Sequence, residues 1–160
     1  EIDGNEELLK YLEEIRGIAC VKCGMAKDLE DATKNSPAFP MVAFITEAQD
    51  YYYPPENRTI KKEDVDLVSR LMFMQVLHKT YAGTATVCTG VAAKIKGTLV
   101  NQVLHNDNPP ELVRIGHPAG MIPCYSEVDE NNNVKKAAIV RTARRLMEGY
   151  ALLEKAKYQD

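Results

Sequence analysis

No apolar run in this sequence is long enough to cross a membrane, and no signal-peptide pattern opens it, so a membrane span and a secreted class are both set aside. Charge of one sign is also lacking. Twenty basic and 23 acidic residues are interspersed, for a net charge of −3, which excludes a large nucleic-acid footprint. No GxxxxGK[ST] loop occurs, so a Walker-type nucleotide site is absent. Internal repeats and low-complexity runs are missing too. Cysteine is scarce: Cys20, Cys23, Cys88 and Cys124. Only the first two form a CxxC pair. A zinc site needs a second pair or histidines at ligand spacing, and neither is present. A thioredoxin-like pair opens a helix after a strand, whereas "ACVKCGM" closes a helical pattern. Free thiols of a cytoplasmic protein fit best.

What is present is enough for one globular domain. The 160 residues are 45% hydrophobic, sufficient for a real core. The chain starts "EIDGNEELLKYL", without Met and almost directly in a helix, which reads as a fragment or the second half of something larger. Leu8, Leu12, Ile15 and Ala19 follow helical spacing behind Asn5, a plausible N-cap, and predict a helix over residues 6–22. Residues 27–40, polar with two prolines, read as a loop, and residues 41–46 as a short buried strand. Three consecutive tyrosines, 51–53, lie in a loop and are expected to pack over the core. Val65, Val68, Leu71, Met72 and Val76 share one side of a helix predicted over residues 62–77. Residues 97–104 read as a strand. Residues 112–128 read as two strands pinched at His117-Pro118-Ala119-Gly120, followed by a hairpin loop at 129–133. Residues 134–153 are ambiguous between helix and returning strand. The order indicates an α+β domain with antiparallel pairing.

The chemistry concentrates in "LHKTYAGTATVCTGVAAKI", residues 77–95. Cys88, Val91, Ala92 and Ile95 give the helix after Gly83 an apolar face, and its many small residues suit a central, closely packed position. A Gly-Thr step at a helix start leaves backbone N–H groups unpaired, and the helix dipole adds to them, so a carboxylate or phosphate can bind there. The alternative is that Thr84 simply caps the helix. His78 can donate to a carboxylate or cap the preceding helix. Lys79 offers a charge or is merely solvated. Tyr81 lends a hydroxyl or packs in the core.

"HKTYAGTATVCTGVAAKIKGT", "IGHPAGM" and "VKKAAIVRTARRLMEGY", with "FPMVAFI" and "VDLVSRLMF", resemble the second half of the PrpF-type aconitate and methylitaconate isomerases, in order over nearly all 160 residues. That family is similar in fold to diaminopimelate epimerase. The resemblance implies a diaminopimelate epimerase-like half: a curved antiparallel sheet wrapped around a central helix, with the active site in the cleft between two such halves. It implies that Gly83, Thr84 and Ala85 form an anion-binding turn, that the helix to Ile95 is the central one, and that "RTARRLMEG" is the closing strand. His117, Gly120 and Met121 would then face the cleft, beside His78 and Lys79.

Three positions depart from related sequences. Ala82 stands where the epimerases carry a catalytic Cys, "GTA" replaces the usual "GTG", and Ala119 stands where Ser is common. Loss of the Cys agrees with a double-bond shift, which moves one proton, rather than two-base racemisation. The Cys and Lys held responsible for proton transfer in the family lie in the first half, so the catalytic residues of this chain are unknown and Cys88 is expected to be a core thiol. Arg141, Arg144 and Arg145 are expected to be structural or interface residues, with Arg141 the best outside candidate for a carboxylate; His105 reads as loop. The implied substrate is a small unsaturated di- or tricarboxylate such as 2-methylitaconate, methylaconitate or aconitate. An oxo-dicarboxylate tautomerase and a non-catalytic carboxylate-binding module are the alternatives. No metal or organic cofactor is implied. The N-terminal half of the same protein is the expected partner, and self-association through an exposed cleft wall is plausible.

Overall fold

The computed structural model describes residues 2–106 and 109–152. Helix α1 spans Glu6–Lys22. The Asn5 side chain accepts from the Leu8 amide at 3.0 Å, Glu6 and Glu7 sit in the first turn and Lys22 in the last, so both ends suit the helix dipole. The segment expected as loop holds a second helix, α2 (Leu29–Asn35), capped by Asp28 on the Asp31 amide at 2.8 Å. Arg16, buried on α1, ties the two together. It pairs with Glu13 and donates to the carbonyls of Ala32, Ser36 and Phe39. These bonds compensate the burial of its charge.

The main sheet is built from β1 (Val42–Glu47), β4 (Leu67–Phe73), β5 (Val76–Leu77), β6 (Leu112–His117), β7 (Gly120–Val128) and β8 (Val134–Ile139). Its order is β1-β4-β6-β7-β8, with β5 folded back on β4. Every pair is antiparallel except β4 with β6, where Leu67 lies opposite Ile115 and Val68 opposite Gly116. The connection between those two strands carries α3 (Gly83–Ala92) and α4 (Leu99–Val103). The sheet curves around α3, which packs on β6, β7 and β8. Leu67, Leu71, Val113, Ile115 and Cys124 from the sheet meet Tyr81, Ala85 and Ala93 in the core. The architecture is α+β, with a sheet that is antiparallel but for one parallel pair.

Further elements differ in kind from expectation. Residues 62–77 are not a helix but a 3-10 turn followed by β4 and β5. Strand β4 is buried on both faces: Leu67, Ser69 and Leu71 point to α3, while Val68 packs with Ile60 and Val65 outside. A strand buried on both sides reads as a continuous apolar run, which spacing alone does not separate from a helix. Met74 and Gln75 have φ of 54° and 65°, which makes the reversal into β5. Residues 99–103 are helical rather than extended, because Thr98 caps the Asn101 amide. After Ile139 the chain leaves the sheet. The stretch 141–149 expected as closing strand has no strand partner among the described residues, and Leu146, Met147 and Tyr150 are exposed. Leu153, at the end of that expectation, lies outside the described residues.

The tyrosines 51–53 form β2, paired with β3 (Arg58–Ile60) in a separate two-stranded sheet. Strand alternation points Tyr51 and Tyr53 at the outer face of the main sheet and leaves Tyr52 exposed. No helix among the described residues is long and apolar enough to cross a membrane.

Candidate functional site

Helix α3 starts on Ala82, which has no side chain able to cap it. The Thr86 amide bonds to the Ala82 carbonyl at 2.8 Å, and the Thr86 hydroxyl doubles that bond at 3.0 Å. The amides of Gly83, Thr84 and Ala85 have no acceptor among the described residues. Thr84 is exposed and is not the cap. An uncapped helix start concentrates partial positive charge.

The buried face of α3 is not the apolar one. Ala85, Thr86, Thr89 and Gly90 are buried, whereas Cys88 is exposed. The sheet comes too close for larger residues. A Cβ on Gly90 would lie 2.8 Å from that of Cys124, and the Gly90 carbonyl accepts from the Ser126 hydroxyl at 2.7 Å. Thr89 completes a buried hydroxyl line with Tyr81 and Ser69, each step 2.9 Å. The Tyr81 hydroxyl is therefore consumed inside the core.

One cation and one buried histidine stand near this end of α3. A Cβ on Gly83 would meet the Arg141 guanidinium at 2.9 Å, so Arg141, just past β8, stands beside the helix start. His117 ends β6. It is 7% exposed and stacks on Tyr81, ring centres 6.2 Å apart. Its Nδ1 accepts the Ala119 amide at 3.2 Å, which leaves the proton of the neutral ring on Nε2. Nε2 has no hydrogen-bond partner among the described residues. Burial, aided by the positive charges of Arg70 and His78, depresses the His117 pKa to about 4. The ring is thus neutral at physiological pH, a donor through Nε2 and not a cation.

Of the other residues singled out from the sequence, His78 is half-buried and follows β5, not a helix. Its Nδ1 accepts from the Thr80 amide at 3.1 Å and its ring meets Phe73 edge-on, so it caps no helix. Lys79 is exposed. Gly120, opposite His117 in the β6–β7 register, has φ 121°, and Met121 is exposed. Arg145 pairs with Glu148 on the surface, and His105 pairs with Glu47. Cys88 is not in the core: it lines a largely apolar groove of about 510 Å³ beside α3, with Thr84, Ala85, Leu71, Met41 and Phe39. The proximity of Arg141 to Gly83 was not legible in the sequence, because it depends on β8 pairing with β7. No group of three or more His, Cys, Asp or Glu that could hold a metal is found among the described residues.

The PrpF protein family matches residues 1–154 of this chain. A 3-methylitaconate isomerase of Eubacterium barkeri is 62% identical over 156 residues, covering 98% of this chain and 41% of the relative. A 2-methyl-aconitate isomerase of Shewanella oneidensis is 34% identical over 158 residues, covering 97% of this chain and 39% of the relative. A crystal structure of a methylitaconate-delta-isomerase superposes with a TM-score of 0.86 at 61% identity, over 98% of this chain and 40% of that one. The chain thus spans about two fifths of the length of the relatives it matches.

Proposed function

The chain belongs to the PrpF family, and from that premise we propose that it is the carboxylate-binding half of an isomerase that shifts the double bond of a small unsaturated di- or tricarboxylate. The reading rests on one observation above all: three unpaired amides at the start of α3 stand beside a guanidinium, with no cap to occupy them. Gly83, Thr84 and Ala85 would receive one substrate carboxylate, with Arg141 as a second donor. His117, with the backbone of Gly120 and Met121, would contribute a neutral donor through Nε2, while His78 and Lys79 add donors at the rim.

The reaction removes a proton from an allylic carbon next to a carboxylate and returns it to the far end of the former double bond. It is redox-neutral and moves one proton in all. Its difficulty is the enolate-like charge that develops on the carboxylate, and fixed donors stabilise that charge better than water does. His117 is a poor base here, since its free-electron-pair nitrogen Nδ1 already accepts a bond and has low basicity. The proton-transfer groups are assigned to the other half of a two-half protein, which would also cover the apolar groove along α3. A methylitaconate is favoured over methylaconitate and aconitate by the 62% identity to a 3-methylitaconate isomerase.

Proton NMR in heavy water tests this. The full-length protein, incubated with each of the three carboxylates, is expected to move deuterium into one of them with new vinyl or methyl signals. This 160-residue chain alone is expected to leave them unchanged. Turnover by the chain alone would place the base within it; inertness of the full-length protein toward all three would overturn the isomerase reading.

A further inference from the structure

The outer tyrosine hairpin reaches the His117 turn from the far side of the sheet. Tyr51 is 69 positions away from Gly120 in sequence, yet its hydroxyl donates to the Gly120 carbonyl at 2.5 Å. Gly120 lies directly opposite His117 in the β6–β7 ladder. The Tyr51 ring also fills the space over Gly116, where a Cβ would come within 2.9 Å of both ring and hydroxyl. Tyr53 makes only an ordinary contact at Gly120, 3.8–3.9 Å from the position of a Cβ. Gly116 therefore acts as a well for the Tyr51 ring.

Tyr51 is itself held. The Arg70 guanidinium lies 5.5 Å from its ring centre, and Arg70 donates to the Ser69 carbonyl at 2.8 Å. No carboxylate pairs with Arg70 among the described residues, so the aromatic face is its principal partner. Burial raises the Tyr51 pKa, which keeps the hydroxyl a donor at working pH. On the inner face, the same turn is braced by Tyr81 stacking on His117 and by the Ala119 amide on Nδ1. The turn is thus held from both sides of the sheet, by Tyr51 of β2 on one face and Tyr81, ahead of α3, on the other.

We propose that Tyr51, seated by Arg70, is a positioning residue for the reaction: its hydrogen bond to Gly120 fixes the two-residue turn that aims the Nε2–H of His117. This inference rests on the functional reading above, in which His117 meets the substrate. A donor displaced by a fraction of an ångström still binds the ground state but serves the transition state poorly. The expected signature is a loss in kcat with KM nearly constant.

The experiment is a double-mutant cycle in the full-length protein with 3-methylitaconate as substrate. Tyr51→Phe keeps the ring over Gly116 and removes only the hydroxyl; kcat is expected to fall about tenfold with KM within about threefold. His117→Gln is expected to lose about a hundredfold or more. The double variant is expected to be no worse than His117→Gln alone, because Tyr51 acts through His117. Tyr52→Phe, on the exposed face, is expected to match the wild type. Arg70→Lys, which keeps the charge but loses the planar stack, is expected to lower kcat about threefold and serves if Tyr51→Phe fails to fold. A wild-type rate for Tyr51→Phe beside an impaired His117→Gln overturns the positioning role alone. An additive double variant overturns it too. A wild-type rate for His117→Gln overturns the site reading and this inference with it.

Discussion

The two ends of α3 are finished in opposite ways. At the C-terminal end every spare group is engaged. The Ala93 amide bonds to Thr89, the Asn101 side chain donates to the Ala93 carbonyl at 2.9 Å, the Thr98 hydroxyl bonds to the Ala92 carbonyl at 2.6 Å, and Lys94 crosses to the carbonyls of Pro109 and Pro110. At the N-terminal end Ala82 caps nothing, three amides stay open, and the nearest charged side chain is a cation. A helix start without a side-chain cap is available to a ligand that completes it.

The contrast can be broken most strongly at His117. His117→Gln keeps a side-chain donor but loses the fixed ring geometry, and kcat/KM is expected to fall about a hundredfold or more, measured with the full-length protein. The same residue gives the next effect, on stability. Its pKa is about 4 in the folded chain, against about 6.5 for an exposed histidine. Between those values the unfolded state binds a proton that the folded state does not, so stability falls as pH drops from about 6.5 to 4. The loss is at most about 3 kcal/mol and is read from urea midpoints across that window. In His117→Gln that pH slope is expected to shrink.

Gly90→Ala tests the closeness of helix and sheet. The added methyl would press on Cys124, and a cost of about 1–3 kcal/mol is expected in denaturant titration. At the open end, Arg141→Gln is expected to raise KM about tenfold with little change in melting temperature, since the side chain is exposed. At the closed end, Asn101→Ala removes one bond to the Ala93 carbonyl. It is expected to cost about 1 kcal/mol of stability and no activity. An Arg141→Gln variant that binds as tightly as the wild type, or an Asn101→Ala variant that loses turnover, would erase the difference between the two ends.

Local signals were sufficient where the determinant lies within a few residues. Asn5 followed by a helical apolar stripe placed α1, the "GHPAG" pinch placed the β6–β7 turn, and Gly83 placed the start of α3. Asp28 and Thr98 carry capping signals of the same kind, yet the helices behind them are short and lack an apolar repeat long enough to override the loop and strand patterns around them. The segment from Leu67 to Phe73, apolar apart from Ser69 and Arg70, misled for the opposite reason, since burial on both faces erases the two-residue alternation that marks a strand.

The sequence by itself therefore determined the family, where α3 starts and the histidine-bearing turn, because each is written in contiguous residues; that the helix start is uncapped came from the structure. Only the tertiary structure decided which face of α3 is buried, that Cys88 lines a groove, that Arg141 stands beside Gly83, that Tyr51 props the turn from behind, and that His117 is a neutral donor. Each of these depends on strand register or on the removal of water around a group, and neither quantity exists until distant segments have packed.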